Sequence, residues 1–391
     1  MRPDGTQTCH GRIGPARSAS LIPLHNPSDA LRPTAIALGS FDGLHRGHRR
    51  VIAAVVPPEP GPAATAPRTD PDWRDGALSG AHQHAGAGLQ PEPIPTVVSF
   101  WPHPREVLHG EPRLRLDLPT EKLESLEPLG IRQLVLVPFD RALAALTPAQ
   151  FVEQVLVEQL QARRIAVGDN FRFGAGRCGD AAELARLGGR HGIAVSVLPM
   201  LFDGAERVSS SRIRRALAAG RISEARRLLE RPYRFSGLVV RGRGLGRGLG
   251  RPTANLQGDG RKFLPQEGVY AALAWLESGE PGVAGGEAMA AVMNLGPQPT
   301  VDPLAPSAVE VHLLDRQIEL VGSRLRVEPI QLLRHQQRFA SLEALSDQIG
   351  ADAREARQLL AEPQGSPLAG RIGVGETPAD EGGDAPQQQD A

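Results

Sequence analysis

The chain has 391 residues and a mass of 41.7 kDa, more than one hydrophobic core usually organises, so its length predicts two domains. Its 44 basic side chains balance 44 acidic ones, so no overall field would hold it on nucleic acid or an anionic membrane. The chain has only two cysteines, which disfavours a disulfide scaffold, and its N-terminus lacks an apolar core, which disfavours secretion. No apolar run approaches the ~20 residues that a membrane-spanning helix needs. We therefore expect a cytoplasmic protein that binds neither nucleic acid nor membranes, and the sequence carries no signal of an oligomeric state.

Lysine occurs only at Lys122 and Lys262, and neither follows a glycine. A P-loop needs Gly-Lys-Ser/Thr to reach the phosphates of a nucleotide, so the sequence excludes a P-loop enzyme. Two isolated lysines also offer little for Schiff-base chemistry.

Three segments rich in Pro, Gly and small polar residues are predicted to be disordered. They are an N-terminal extension, residues 1–31, an insertion, residues 57–95, and a tail, residues 363–391. The insertion has nine prolines and five glycines but few large apolar side chains. It cannot bury enough apolar surface to offset the entropy of ordering it.

The first ordered part, residues 32–220, alternates apolar runs with helical patterns, which is typical of parallel βα units. The predicted strands are Ala35–Leu38, Thr96–Phe100, Leu134–Val137, Ile165–Val167 and Ile193–Leu198. Thr147 and Gln150 predict the capped start of one helix, and another is expected between Ser210 and Gly220.

The second ordered part, residues 233–362, has short strand-like runs separated by Gly and Pro turns, which predict a small β-barrel. These runs are Phe235–Val240, Val269–Leu276, Ala290–Met293 and Val309–Leu314. A connecting helix is expected over residues 221–232. A final helix is expected over Ser341–Leu360, packed on the barrel. We expect each domain to bury its own core.

A glycine-rich turn follows the first predicted strand, running Gly-Ser-Phe-Asp-Gly-Leu-His-Arg-Gly-His from residue 39 to residue 48. Glycines at positions 39, 43 and 47 let the backbone approach a phosphate, and the helix that follows offers free N–H groups. His45 and His48 stand three residues apart and could stabilise charge on a transferred phosphate. Taken alone, the two histidines could instead be metal ligands or surface residues.

This segment resembles the HxGH signature of the nucleotidyltransferase superfamily, whose members transfer AMP or CMP from a nucleoside triphosphate to a phosphate. Three later segments resemble motifs of the adenylyltransferase module of bacterial bifunctional riboflavin kinase/FAD synthetases: Ser99–Pro104, Val167–Gly174 and Arg207–Arg214. In the last segment, Ser210 and Ser211 stand where the family more often has Ser-Thr. With the flanking arginines they suit a phosphate cradle, although an ordinary helix cap would look the same. The resemblance implies an ATP site formed by Gly39, Phe41, Asp42, Gly43, His45, His48, Asn170, Arg207, Ser210, Ser211 and Arg214, with His45 and His48 as catalytic residues.

A second glycine-rich stretch, residues 242–250, runs into Pro252-Thr253-Ala254-Asn255. In an extended segment, residues two apart point to one side, as ligands of Mg²⁺ and phosphate require. The stretch could be a linker on its own, but it resembles the GRxLGFPTAN motif of flavokinases, with Arg251 where the family usually has Phe. The resemblance implies ATP contacts from Gly246, Gly250, Thr253 and Asn255, with Thr253 and Asn255 as metal ligands.

Further segments also resemble flavokinases: Gly268–Ala271, Met293–Thr300 and Val309–Asp315. Glu310 lies in an alternating strand, where an isolated carboxylate is usually solvated. The resemblance implies that Glu310 is the general base that takes the proton from the riboflavin 5′-hydroxyl. The family's Tyr-Gly after this strand is Val321-Gly322 here, which changes one contact in the flavin pocket.

The resemblance covers residues 32–361 apart from the insertion. It implies a Rossmann-like α/β nucleotidyltransferase domain, residues 32–220, followed by a flavokinase β-barrel, residues 233–362, with a C-terminal helix. It further implies FAD biosynthesis, in which ATP and Mg²⁺ serve to phosphorylate riboflavin to FMN and then to adenylylate FMN to FAD with release of pyrophosphate. The alternatives are a nucleotidyltransferase acting on another phosphate, such as phosphopantetheine, and a non-enzymatic flavin-binding or arginine-rich interaction protein. The fused flavokinase motifs disfavour the first, and the intact HxGH and PTAN motifs disfavour the second.

Overall fold

The computed structural model describes residues 23–57, 91–110, 113–242, 251–277, 284–296, 309–316 and 318–361. Most of the three segments predicted to be disordered lies outside the described residues. The same holds for Gly246 and Gly250 of the second glycine-rich stretch. Within the described ranges, no helix is both long enough and apolar enough to cross a membrane.

A six-stranded parallel sheet organises the N-terminal half. Its strands are β1 (Leu24–His25), β2 (Thr34–Leu38), β3 (Ile94–Trp101), β4 (Gln133–Pro138), β5 (Ala162–Gly168) and β8 (Ala194–Leu198), while β6 (Arg172–Phe173) pairs with β7 (Gly179–Asp180) and β9 (Phe202–Asp203) with β10 (Glu206–Arg207). The order β1-β4-β3-β2-β5-β8 places β3 and β5 on opposite sides of β2. The chain therefore reverses direction across the sheet between β2 and β5. Open α/β sheets bind ligands at such a point, beyond the carboxyl ends of the strands.

Helices connect the strands of this half, and one of them begins at the predicted capping box. They are α1 (Arg46–Ala53), α2 (Pro104–His109), α3 (Pro119–Leu126), α4 (Arg141–Ala145), α5 (Pro148–Phe151), α6 (Ala181–Arg190), α7 (Ser210–Ala218) and α8 (Ile222–Leu229), with 3-10 turns at Pro27–Asp29, Glu127–Leu129 and Ala175–Arg177. Thr147 and Gln150 form the predicted capping box at the start of α5. Beyond α5 the chain continues as a π-helix, Val152–Gln159, where the sequence pattern predicted α-helix. Gly220, with φ +68, follows α7.

Two edges of the predicted disordered segments are ordered instead. Residues 23–31 form β1 and a 3-10 turn, and Leu24 and His25 pair with β4. Ile94 and Pro95 begin β3, paired with the start of β2, and do not belong to the insertion. In both cases pairing along an existing strand supplies backbone hydrogen bonds that composition alone does not reveal.

The C-terminal half is a closed antiparallel barrel. Its strands are β11 (Phe235–Val240), β12 (Ala254–Gln257), β13 (Gly268–Glu277), β14 (Ala284–Leu295), β15 (Val309–Leu313) and β16 (Arg324–Arg334), in the order β11-β12-β15-β14-β13-β16. Helix α9 (Leu342–Ala361) packs on β13 and β14, as predicted. The four strand-like runs of the prediction are strands here, and β12 and β16 are additional strands that were not predicted.

The sheet buries two hydrophobic clusters of its own, one on each face, as expected for a domain with a separate core. Helices α7 and α8 belong instead to the barrel's cluster, in which Ile213 and Leu217 of α7 and Leu228 of α8 are fully buried together with Tyr270 and Met293. The last helix predicted for the first domain and the connecting helix therefore cover the barrel.

Candidate active sites

The turn after β2 folds closely around its own side chains. Gly43 has φ +92, a conformation that side chains rarely adopt, and a Cβ there would lie 2.8 Å from Cδ1 of Leu116. A Cβ on Gly47 would lie 3.2 Å from the His45 ring. Glycine is needed at these two positions to admit Leu116 and His45.

His45 and His48 lie in contact at the start of α1. Their rings stack with centroids 3.6 Å apart and 15° between the planes. His45 caps the helix, because its Nδ1 accepts the backbone N–H of His48 at 3.3 Å. Burial lowers the pKa of His45 to about 4, and burial and then the neighbouring His45 lower the pKa of His48 well below 6.5. Both rings are neutral at pH 7, and Nε2 of His45 is left as its N–H donor.

The carboxylate of Asp42 is bound by the protein itself. It is buried, and its Oδ1 accepts the backbone N–H groups of Leu116 at 2.9 Å and Asp117 at 3.3 Å. Arg214 forms an ion pair with the other oxygen and donates to the Leu114 carbonyl at 3.1 Å. Asp42 and Arg214 therefore anchor residues 114–117 against the histidine turn.

The serine motif also lies beside this turn. Helix α7 begins at Ser210, as predicted, but its N-cap is Ser209, whose hydroxyl accepts the N–H of Arg212 at 3.2 Å. Ser210 donates its hydroxyl proton to the Asp42 carbonyl at 2.8 Å, and Ser211 is exposed. The structure thus joins the histidine turn to the serine motif by a direct hydrogen bond.

Asn170 and Arg207 lie in loops near the same edge of the sheet. Asn170 is exposed in the turn that follows β5. Arg207 is exposed on β10, with Nη1 3.3 Å from the Met200 sulfur, and its charge is among those that act on His45. Neither side chain forms a hydrogen bond or ion pair with His45 or His48, so their predicted roles require that bound ATP contact both them and the histidines.

Sequence reasoning missed several residues around Asp42. A small recess is lined by Asp42, Trp101, His103, Asp117, Arg115 and Lys122, among others. Lys122 is buried and donates to the Ser40 carbonyl at 3.1 Å. The rarity of lysine in this sequence was the only signal for Lys122, whereas Trp101 and His103 entered only as part of a motif.

The predicted kinase residues meet on neighbouring barrel strands. Asn255 of β12 and Glu310 of β15 are direct cross-strand partners, and Glu310 also faces Asn294 of β14. Val309 and Val311 point into the barrel and are fully buried, so Glu310 lies on the outer face, half-buried. Asn294 was missed, because its partner strand lies sixteen positions away in the chain.

A cleft opens next to these strands. It has about 1120 Å³ and is lined by Val240, Thr253, Asn255, Val311, Ile318 and Val321, among others. The amide of Asn255 lies against Gly242, where a Cβ would come within 2.0 Å of it. Val321, which stands where the family usually has Tyr, lines the cleft. Arg251 extends toward α9, where its Nη2 would lie 3.1 Å from a Cβ added to Gly350.

Comparisons with known proteins cover both halves. A riboflavin kinase family model matches residues 229–360 and a FAD synthetase model matches residues 83–212. The bifunctional riboflavin kinase/FMN adenylyltransferase of Escherichia coli K12 is 35% identical over 346 residues, which are 86% of this chain and 96% of that protein. The Pseudomonas fluorescens protein of the same name is also 35% identical, over 340 residues, with the same two shares.

A crystal structure of a macrolide-efflux protein from Streptococcus pneumoniae aligns with a TM-score of 0.67 and 25% identity. It covers 86% of this chain and 99% of that one, so the likeness extends over the sheet and the barrel. With the two curated relatives, this places the chain in the family of bifunctional riboflavin kinase/FMN adenylyltransferases.

Proposed function

We propose that this chain makes FAD from riboflavin in two ATP-dependent steps, one in each half, using the residues described above. The observation that carries this proposal is the presence of both family matches in one chain whose relatives carry both activities in their names. The substrates are riboflavin, FMN and ATP, and the compartment is the cytoplasm.

In the barrel, Glu310 accepts the proton of the riboflavin 5′-hydroxyl, the oxygen attacks the γ-phosphorus of ATP, and the bond to the β,γ-bridging oxygen breaks with release of ADP. Glu310 faces Asn255 directly across the strands, and Asn255 lines the cleft with Thr253. This arrangement supports a geometry in which the base and the phosphate ligands lie side by side. Gly246 and Gly250, whose predicted contacts with ATP belong to this proposal, precede Arg251 in the sequence and lie outside the described residues.

Mg²⁺ enters this reaction with ATP, and the residues present fit it. Thr253, Asn255 and Glu310 offer hydroxyl, amide and carboxylate oxygens, the ligands that Mg²⁺ prefers. Among the described residues, no three His, Cys, Asp or Glu side chains form a metal cluster. An ion held here would share its coordination between these side chains and the phosphates of ATP, whose charge it would neutralise.

In the N-terminal half, a phosphate oxygen of FMN attacks the α-phosphate of ATP, and pyrophosphate leaves. Neutral His45 offers its Nε2–H to a phosphate oxygen, since its Nδ1 is engaged by the helix. His48 is stacked on that ring, and its buried Nδ1 has no partner among the described residues. The free N–H groups of α1 add positive potential where charge develops during transfer.

The test is incubation of the purified full chain with riboflavin, ATP and Mg²⁺, with chromatography of the flavins. We expect FMN first and FAD afterwards, and FAD alone when FMN is supplied. If neither flavin product forms while a control enzyme is active, the chain is a flavin-binding or interaction protein instead. Transfer of AMP to phosphopantetheine but not to FMN would favour a related nucleotidyltransferase.

A further inference from the structure

A cluster of arginines lies beside Asp42, within the N-terminal half. Arg113, Arg115 and Arg214 each retain one buried guanidinium N–H group without an acceptor among the described residues. Nη2 of Arg115 forms an ion pair with Glu106 at 2.8 Å, which fixes the side chain in place, while its Nε–H lacks an acceptor among the described residues. An unmade hydrogen bond of a buried charged group is costly, so three such arginines close together favour the binding of an anion.

The arginine cluster is distinct from the histidine pair. Burial is the main cause that lowers the pKa of His103 to about 3, and the positive charges of Arg113, Arg115 and Arg214 lower it further. Arg207 is the arginine that acts on His45. The charge of Asp42 acts on both His45 and His103, so its carboxylate is near both groups of positive charge.

Two groups of positive charge near one carboxylate suit two anionic reactants. Adenylyl transfer needs a triphosphate and an acceptor phosphate, with the attacking and leaving oxygens roughly in line across the α-phosphate. The histidine turn and the start of α1, with Arg214 of the predicted ATP site, suit the triphosphate. Arg113 and Arg115, which the predicted ATP site does not include, are then left for the acceptor, a phosphate monoester.

The segment that carries two of these arginines is held by the kinase half. Arg115 pairs with Lys262 in a parallel bridge, with its N–H donated to the Arg261 carbonyl at 2.7 Å and its carbonyl accepting from Phe263 at 2.7 Å. The ammonium of Lys262 donates to the Leu116 carbonyl at 2.7 Å. The loop that follows β12 thus pairs with the backbone at Arg115 as a neighbouring parallel strand would.

A side chain of the kinase half also contacts Trp101, which lines the recess. The guanidinium carbon of Arg261 lies 5.2 Å from the centre of the Trp101 ring, and that of Arg115 lies 4.9 Å from the same ring. Arg261 is held in turn by Asp259, at 2.6 Å. A cation at this distance attracts the ring face and fixes its orientation.

We propose that Arg113 and Arg115 of the arginine cluster bind the phosphate of the acceptor in adenylyl transfer, and that the kinase half completes this subsite through Arg261 on Trp101. The inference rests on the proposed function, in which the acceptor is FMN. Arg113 and Arg115 are ligands of the phosphate, and Arg261 is a positioning residue.

The experiment measures the KM for FMN and for ATP separately in FAD synthesis by the full chain. Arg113→Gln should raise the KM for FMN by roughly ten- to a hundredfold, as expected for the loss of a hydrogen bond to a charged group. Arg261→Ala should raise it by roughly two- to fivefold, the effect of one exposed cation–ring contact. In both variants the KM for ATP and the riboflavin kinase rate should be unchanged.

Arg357→Ala is the matched control, because Arg357 is similarly exposed and paired with a carboxylate, Asp315, but lies on α9. It should leave the KM for FMN unchanged. A rise in the KM for ATP instead, or an unchanged KM for FMN in Arg113→Gln, would overturn the inference while leaving the proposed function intact. If the unmodified chain makes no FAD, the proposed function fails, and calorimetric titration with FMN then tests the subsite directly, with weaker binding to Arg113→Gln expected and equal binding refuting it.

Discussion

The ion pair between Lys262 and Glu121 is the contact across the two halves whose removal should cost most. Lys262 comes from the loop after β12 and Glu121 from α3, and their charged atoms lie 2.6 Å apart. Their side chains are 4% and 12% exposed. Lys262 also donates to the Leu116 carbonyl, and its ammonium lies 4.7 Å from the Tyr233 ring.

Lys262→Met keeps the apolar stem and removes the ammonium, leaving Glu121 as an uncompensated buried charge. Removing one partner of a buried pair costs about 3–5 kcal/mol of unfolding free energy. Burial raises the pKa of Glu121 even with Lys262 present. Without Lys262 the carboxylate takes up a proton more readily. A group whose pKa is raised on folding loses stability as the pH rises through that value, so the variant should be weaker at pH 8 than at pH 5.

Urea denaturation followed by circular dichroism measures this loss. Glu121→Gln added to Lys262→Met should recover part of it, because a neutral amide needs no countercharge. The control is Arg186→Met, which removes one partner of the exposed Glu183 pair and should change the midpoint little. A loss no larger than that of the control, or no recovery in the double variant, would refute the reasoning.

Four further outcomes follow from the same contacts. His48→Ala should lower FAD formation by ~10²–10³-fold in rate while FMN accumulates, measured by chromatography. Glu310→Gln should block FMN formation and spare FAD synthesis from supplied FMN, and equal loss of both products would contradict the assignment. Because the pKa values of His45 and His103 lie below 6.5, the unfolded chain binds protons that the folded chain does not as the pH falls from 6.5 to about 4, so urea midpoints should decrease over that range. Replacing residues 58–90 by a short Gly/Ser linker should leave both activities within a few-fold, because the ends of this segment face the amino edge of the sheet, opposite the sites; loss of FAD synthesis in a folded variant would show otherwise.

Much of the fold could be predicted from local patterns. Four of the five predicted strands of the sheet are short buried apolar runs, whereas β8, which was also predicted to be buried, is a largely exposed edge strand. The capping box at Thr147 and Gln150 involves neighbours in sequence. Strand β16 was missed because Pro329 and Glu328 interrupt its alternation. The structure accommodates Pro329 opposite Ala272, next to a register shift, which is where a ladder tolerates a missing donor.

The candidate sites could be predicted only as far as motifs define them. The pair of Asp42 and Arg214 joins residues 172 positions apart, and the bridge between Arg115 and Lys262 crosses the two halves. No periodicity or spacing encodes such contacts, because they depend on how the sheet and the barrel dock. The π-helix after α5 was missed for a local reason, because its apolar side chains are spaced like those of an α-helix.

The two proposed sites depend to different degrees on contacts between the two halves. The barrel closes its own six-stranded ladder and carries α9, so its kinase residues on β12 and β15 are held by strands of that half alone. The N-terminal half relies on the barrel twice. Helices α7 and α8 bury their apolar faces against it, and residues 114–117, which hold Asp42, are pinned by the loop after β12. Because Asp42 lies in the histidine turn itself, the geometry of the proposed adenylyltransferase site depends on the kinase half being folded, whereas the proposed kinase residues are held by strands of their own half.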